Sequence, residues 1–293
     1  MILPEFDFVT FDTLKETLNL LNRHGDESKL IAGGTDLMIK LKSGEATPKY
    51  IVNLSSCEGL NYLKDNNGKI SIGPIVTHTE LINSSLLNNF APVLSAAAGV
   101  IGSPQIRNQG TIGGNICNAS PSADTVPALM VLNSRVKIVS HDEERWASLK
   151  DFFLSPHHTI LKGNELIAEI EMEKLPEGTL FSFQRVSRRK SMDIAQMSVA
   201  VALVMDENKE HVLEARISPG SVTPTPVRIH KAEKILEGEI LTDNIIESAA
   251  EEVSRRAIDM TDTRWIPEYK KPAIKGLVIR AIKDAMGQRG QMQ

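Results

Sequence analysis

Two short stretches place glycine pairs next to side chains that can bind a cofactor. The first is IAGGTDLMIK, Ile31 to Lys40, and the second is TIGGNICNASPSAD, Thr111 to Asp124. Each sets a glycine pair, Gly33–Gly34 or Gly113–Gly114, behind an apolar run and ahead of polar groups. Paired glycines permit positive φ and remove every Cβ near the backbone, so consecutive N–H groups can converge on an anion. A diphosphate is the commonest biological ligand with that demand. Thr35 and Thr111 add hydroxyl donors, and a following helix would bring its positive N-terminal end to the same point. Asp36 and Asp124 can cap helices or accept hydrogen bonds from a ribose or ring. Neither stretch is G-x-G-x-x-G, and the chain carries no G-x-x-x-x-G-K-[ST], so the Rossmann and P-loop signatures are excluded. A lone glycine pair is most often a tight turn. Two with matching surroundings also read as one dinucleotide or phosphoester site.

Other chemistries find less support. An iron–sulfur cluster or structural zinc wants about four ligands, whereas the chain has only Cys57 and Cys117 as cysteines. Free thiols are expected for both in a reducing compartment. His157 and His158 are adjacent, which points them apart on any regular element, so no metal site is expected. The net charge of -4 offers no basic field for nucleic acid or an anionic membrane. MILPEFDF lacks the charged and apolar regions of a secretion signal. The longest weakly polar run, Phe90 to Ile101, falls far short of the ~20 residues of a spanning helix. A cytoplasmic protein is expected.

At 293 residues the chain has length for two domains. Asp12 is placed to cap a helix through Leu14, Leu18 and Leu21 that Gly25 ends. Strands are read at SKLIA, KYIVNL, KISIGPIVT, RVKIVS, ELIAEIEM, LFSFQRVS, MSVAVALVM and HVLEARIS. DLMIKLKSG reads as a short helix or irregular turn, helices are read at HTELINSSLL and APVLSAAAGVIG, and three more close the chain. The first of those three is predicted to start at Pro226 behind Thr225, with Ile229, Ala232, Ile235 and Leu236 on one face. KLPEGT, Lys174 to Thr179, clusters proline, glycine and charge between strands and marks a domain boundary. The order of elements is α+β.

AGGTDL followed by PQIRNQGTIGGNICNASPSAD resembles the FAD-binding subunit of the molybdenum hydroxylases, the xanthine dehydrogenase and carbon monoxide dehydrogenase group. DFFLSPHHTIL, NELIAEIEM, FSFQRVSRRKSMDIA and GSVTPTPVR extend the resemblance over nearly the whole chain. It implies a PCMH/VAO-type FAD-binding fold over residues 1–176, in two α+β subdomains of about 1–55 and 56–176. Residues 177–293 would form a C-terminal α+β domain of antiparallel strands and helices. Leu30, Ile31, Ala32, Gly33, Gly34, Thr35, Asp36 and Leu37 would be the first diphosphate cradle. Thr111, Ile112, Gly113, Gly114 and Asn115 would be the second, with Asp124 an acidic contact and Ile167 an apolar one. Ile101 falls where some members carry an aromatic ring beside the isoalloxazine, and Arg185 where several carry lysine. The alternative for Arg185 is a surface charge in the run Arg185, Arg188, Arg189 and Lys190.

By the same resemblance the FAD accepts electrons from a 2Fe-2S small subunit, fed by a molybdopterin-binding large subunit. It passes them to NAD+ or another acceptor, and a xanthine dehydrogenase-like complex is the first expectation. The wider superfamily includes stand-alone flavin oxidoreductases, some with FAD tethered through histidine or cysteine near the first loop. No such residue lies between Gly25 and Cys57, which favours non-covalent FAD. A scaffold subunit with a decayed flavin site is a third reading.

Overall fold

The computed structural model describes residues 3–189, 192–260 and 267–287. Lys190 of the basic run lies outside them. The first unit comprises β1 (Asp7–Thr10), α1 (Leu14–His24), β2 (Ser28–Ile31), α2 (Leu37–Ser43) and β3 (Tyr50–Asn53). Its strands form a parallel sheet in the order β1-β3-β2. The cap of α1 is Thr13 rather than Asp12. The Thr13 hydroxyl accepts from the Glu16 amide at 3.3 Å and donates to the Glu16 carboxylate at 2.6 Å, a reciprocal pairing that Asp12 cannot make with its neighbours in register.

The second unit opens with β4 (Leu63–Asp65) and β5 (Lys69–Ile72). Helices α3 (His78–Asn83), α4 (Ser85–Phe90), α5 (Pro92–Gly99), α6 (Pro104–Gln109), α7 (Ile112–Asn118) and α8 (Thr125–Val131) follow. It closes with β6 (Arg135–Val139), β7 (Glu144–Ser148), α9 (Leu149–Phe152), β8 (Phe153–Ser155), β9 (His158–Thr159) and β10 (Leu166–Glu173). The main sheet runs β4-β5-β10-β6-β7, antiparallel at each pairing. KISIGPIVT is a strand only as far as Ile72, because Gly73 presses against Leu60, whose carbonyl oxygen lies 2.0 Å from where a Cβ would stand. HTELINSSLL is two helices: Ser84 ends α3 and caps α4, accepting from the Leu87 amide at 3.2 Å. A bulge between Ile167 and Glu169 lets β10 bury the consecutive residues Leu166 and Ile167, which explains the imperfect alternation of that segment.

The third unit holds the antiparallel sheet β11 (Leu180–Val186), β12 (Met197–Met205) and β13 (Val212–Gly220). Helices α10 (His230–Leu236), α11 (Asp243–Met260) and α12 (Pro267–Gly287) complete it. Strand β12 is buried on both sides, and its alternation is one of size. Ala200 and Ala202 join the core of α5 and α8, while Val199, Val201 and Leu203 join that of α10, α11 and α12. A strand enclosed this way reads as a continuous apolar run, with small residues where helices approach closely. The expected helix from Pro226 starts only at His230. The preceding chain is held beside β13 instead, with Ser218 donating to the Val227 carbonyl at 2.9 Å and the Ile229 amide donating to Ile217 at 3.0 Å. Arg216, 5% exposed, joins the second and third units through Glu173 at 2.7 Å, the Val131 carbonyl at 3.1 Å and Glu214 at 2.6 Å. Among the described residues no helix is long and apolar enough to cross a membrane.

Candidate functional site

The first loop leaves β2 at Ile31 and enters α2 at Leu37. Gly34 has φ +69°, a left-handed conformation that glycine adopts without a Cβ penalty. Gly33 is glycine for a different reason: a Cβ there would lie 1.8 Å from the Gln109 carbonyl oxygen, so the first loop rests directly on the chain leading to the second. The amides of Gly33, Gly34, Thr35 and Asp36 meet no acceptor among the described residues. Four donors left open in one turn suit an anion.

The second glycine pair is not a left-handed loop. Gly113 and Gly114 lie in the first turn of α7, which Thr111 caps by accepting from the Gly114 amide at 3.1 Å. The expectation of positive φ there is corrected, because the threonine cap starts the helix immediately before the pair. Gly113 packs on Pro74, whose carbonyl oxygen would lie 2.6 Å from a Cβ and accepts the Gly113 amide at 2.9 Å. Gly114 has open space around its Cβ position except for Thr111 Oγ1 at 3.0 Å. The loops are also tied by side chains. Asn118 donates to Asp36 at 3.0 Å and accepts from Lys40 at 3.1 Å, so Asp36 binds the second loop and makes no side-chain cap on α2. Asn115 is oriented by the Thr125 hydroxyl at 2.6 Å.

Between the loops lies a cavity of about 870 Å³, of a size that takes a dinucleotide. All residues from Leu30 through Leu37 line it, as do Thr111, Gly113, Gly114 and Asn115. Ile101, Asp124 and Ile167 complete the expected set on its wall. Ile112 and Arg185 do not line it. The Ile112 side chain is fully buried in the core of the second unit, and its amide bonds Val76 at 3.0 Å.

Arg185 stands behind Asp124, 3.1 Å from its Oδ2, with its side chain only 9% exposed. It donates to the carbonyls of Val100, beside the wall residue Ile101, and of Asp193, itself on the wall. Its planar fork serves three partners at once, a geometry a lysine cannot reproduce. The reading of Arg185 as a surface charge is therefore wrong. Asp124, 6% exposed, keeps Oδ1 without any partner among the described residues. Burial raises its pKa to about 7, against the opposing pull of Arg185.

The sequence reading missed several wall residues. His78 is 2% exposed, and burial, with Arg107 adding to it, lowers its pKa to about 4. Its only sequence signal was the capping box of Thr77 and Glu80, which marks a helix start and says nothing of a cavity. Glu165 receives both arms of the Arg145 guanidinium and the Lys162 amide at 2.9 Å. Burial works against its charge, but these donors prevail and hold its carboxyl below the usual range. Cys117 and His157 also line the cavity, and Cys57 is buried elsewhere.

An α+β protein with open amides, a bare glycine and a half-satisfied buried carboxylate around one cavity is a nucleotide-cofactor binder. Comparison with known proteins supplies the family. The family described as "FAD binding domain in molybdopterin dehydrogenase" matches residues 4–174, and "CO dehydrogenase flavoprotein C-terminal domain" matches 182–285. The glyceraldehyde dehydrogenase medium chain of Sulfolobus acidocaldarius is 31% identical over 281 residues, covering 96% of this chain and 98% of its own. The xanthine dehydrogenase FAD-binding subunit of Escherichia coli O157:H7 is 30% identical over 292 residues, covering 97% and 98%. A carbon monoxide dehydrogenase structure from Hydrogenophaga pseudoflava, lacking the Mo-pyranopterin moiety of its molybdenum cofactor, superposes with a TM-score of 0.92 at 27% identity, covering 98% and 99%. The chain belongs to the FAD-binding subunits of the molybdenum hydroxylase family, and its cofactor is FAD. The site fits that group: the open amides answer a diphosphate, and Asp124 Oδ1 lacks only a donor.

Proposed function

We propose that this chain is the electron-transfer flavoprotein subunit of a xanthine dehydrogenase-like molybdenum hydroxylase in the cytoplasm. It takes electrons from a 2Fe-2S partner subunit, fed in turn by a molybdopterin-binding subunit, and passes them to NAD+ or another acceptor. The observation that carries this reading is the cavity, lined by four residues with unpaired amides and by a buried carboxylate with one oxygen unpaired among the described residues. The proposed division runs through the 174–179 linker, with residues 1–176 carrying most of the cofactor wall and 177–293 closing its mouth.

In this reading Gly33, Gly34, Thr35 and Asp36 hold the diphosphate through their amides, and Thr111 with Gly114 leaves the second flank open. Asp124 accepts a hydrogen bond from the cofactor, while Ile101 and Ile167 exclude water from its rings. Arg185 balances the charge of Asp124 and fixes the segments around Val100 and Asp193. When bound, FAD supplies the change between two-electron and one-electron transfer; the protein supplies position and electrostatics.

Reconstitution tests the proposal. The purified chain with FAD should exchange electrons with NADH or an artificial reductant, yet hydroxylate no purine, aldehyde or heterocycle. Adding the partner subunits should restore flow from substrate to acceptor; leaving this chain out should confine oxidation to dyes that accept electrons upstream. Turnover of a heterocycle by the chain and FAD alone would replace the subunit reading with a stand-alone flavoenzyme. A purified chain that takes up no flavin would point to a decayed site.

A further inference from the structure

The segment Pro74–His78 lies antiparallel along Gly110–Gly113. The His78 amide donates to Gly110 at 3.0 Å, Ile112 to Val76 at 3.0 Å and Gly113 to Pro74 at 2.9 Å, with Thr77 bridged to Thr111. The backbone contacts that set Thr111 and its glycines in place therefore also fix His78 on the cavity wall. Thr77 and Glu80 lock the turn that carries it through a capping box.

The ring is almost wholly buried, and its Nδ1 meets no partner among the described residues. A phenylalanine or leucine would fill the same wall without burying an idle polar atom, so unused hydrogen-bonding capacity calls for a cause. With no acceptor near Nδ1, the proton belongs on Nε2, since an orphaned buried N–H is the rarer and costlier state. On the flank of Nε2 stands Gly110, another wall residue. A Cβ at Gly110 would lie 3.1 Å from the ring's Cδ2 and 3.5 Å from Nε2, so the glycine keeps that edge free of a side chain.

We propose that His78 is a cofactor-positioning residue whose Nε2–H donates a hydrogen bond to a polar atom of bound FAD. The inference rests on the FAD reading above and adds a contact that the glycine motifs do not contain. The depressed pKa agrees with such a role, because an uncharged imidazole donates at neutral pH while adding no charge to the wall. Arg107, on the neighbouring helix α6, is the cation that helps keep it so.

Three substitutions in the full chain test the tautomer as well as the contact. His78→Gln sets an amide N–H near the place of Nε2, His78→Asn sets one near Nδ1, and His78→Phe keeps shape alone. FAD titration followed by flavin fluorescence should show affinity falling about five- to twentyfold for His78→Phe, the worth of one hydrogen bond. His78→Gln should stay within about threefold of the wild type, and His78→Asn should resemble His78→Phe. A purely structural histidine would show no such ordering, and the Gln–Asn comparison stands even where His78→Phe fails to fold. Wild-type affinity in a folded His78→Phe, or recovery by Asn in preference to Gln, would overturn the proposal. Should the wild-type chain bind no FAD, the FAD reading itself fails; should it bind while all three variants match it, only the role of His78 does.

Discussion

Alanine at Gly114 and alanine at Gly33 should have opposite effects on folding and binding. At Gly33 the new Cβ would lie 1.8 Å from the Gln109 carbonyl oxygen and 2.4 Å from its carbon, both backbone atoms that cannot turn aside. The two loops must separate, and overpacking of that severity costs about 3 kcal/mol. At 2–4 °C for each kcal/mol in a chain of this kind, the apo protein should melt roughly 6–12 °C lower. At Gly114 the only close atom is Thr111 Oγ1 at 3.0 Å, a hydroxyl that can shift by a few tenths of an ångström. Alanine in a helical turn gains up to about 1 kcal/mol over glycine, which offsets the disturbed cap. The apo melting point should therefore stay within about 2 °C, while the methyl group enters the cavity and weakens FAD by roughly tenfold or more. Differential scanning calorimetry of the apo variants, paired with FAD titration, separates the two effects. If Gly114→Ala binds FAD as the wild type does, the second cradle is misassigned; if it melts as low as Gly33→Ala, Gly114 is a packing glycine.

Asp124 makes the apo protein sensitive to pH. Its folded pKa of about 7 lies above the ordinary value, so between about pH 4 and 7 the folded state holds a proton that the unfolded chain has released. Apo stability from this group is present below pH 4 and is lost as pH rises through 7. The stability of Asp124→Asn relative to the wild type should rise across that window by roughly 2–4 kcal/mol and be flat above it. Urea titrations at several pH values measure this, and a difference independent of pH refutes it. Acid or heat should release free FAD, because Cys57 is buried away from the cavity and the first loop has no tether residue. Flavin fluorescence that follows the polypeptide on a denaturing gel would count against that, with Cys117 and His157 then the residues to examine.

The first loop was legible because its signal is local. Apolar SKLI must become a strand, DLMIKLKS a helix, and glycines between them leave the turn bare. The local signals single out Gly33, Gly34, Thr35 and Asp36, and the family resemblance extends the set to Leu30 through Leu37, all on the wall. The second pair misled because G-G reads as a loop until the threonine ahead of it is weighed as a cap, after which both glycines become the first turn of α7. Tertiary contacts hid the rest. Nothing within the run QRVSRR says that Arg185 turns inward, since its partners Val100 and Asp124 lie far back along the chain. The edge strand β1 carries no alternation to mark it, and Pro226 opens a good helical pattern that pairing beside β13 overrides. Propensity is a local prior; short-range caps at Thr13, Ser84 and Thr111 and pairing with β13 both override it here.

The cavity gathers three separate segments, and that explains why its polar groups remain incomplete. The first loop contributes amides without a side-chain anion of its own, since Asp36 is occupied by Asn118. The second contributes a bare helical turn and the carboxylate of Asp124, buried too deeply to hold its charge easily. Arg185, from the third, supplies the cation, yet its Nε and the carboxylate's Oδ1 both lack partners among the described residues. A pair optimised only for folding would close on itself with both oxygens and all donors satisfied, because a half-satisfied buried network is worse than an apolar one. Here Nη1 of Arg185 serves both the Asp124 carboxylate and the Val100 carbonyl, and Nη2 reaches Asp193. The network is thus arranged around the space it borders, and a ligand that donates to Asp124 would at once favour its charged form and strengthen its pair with Arg185.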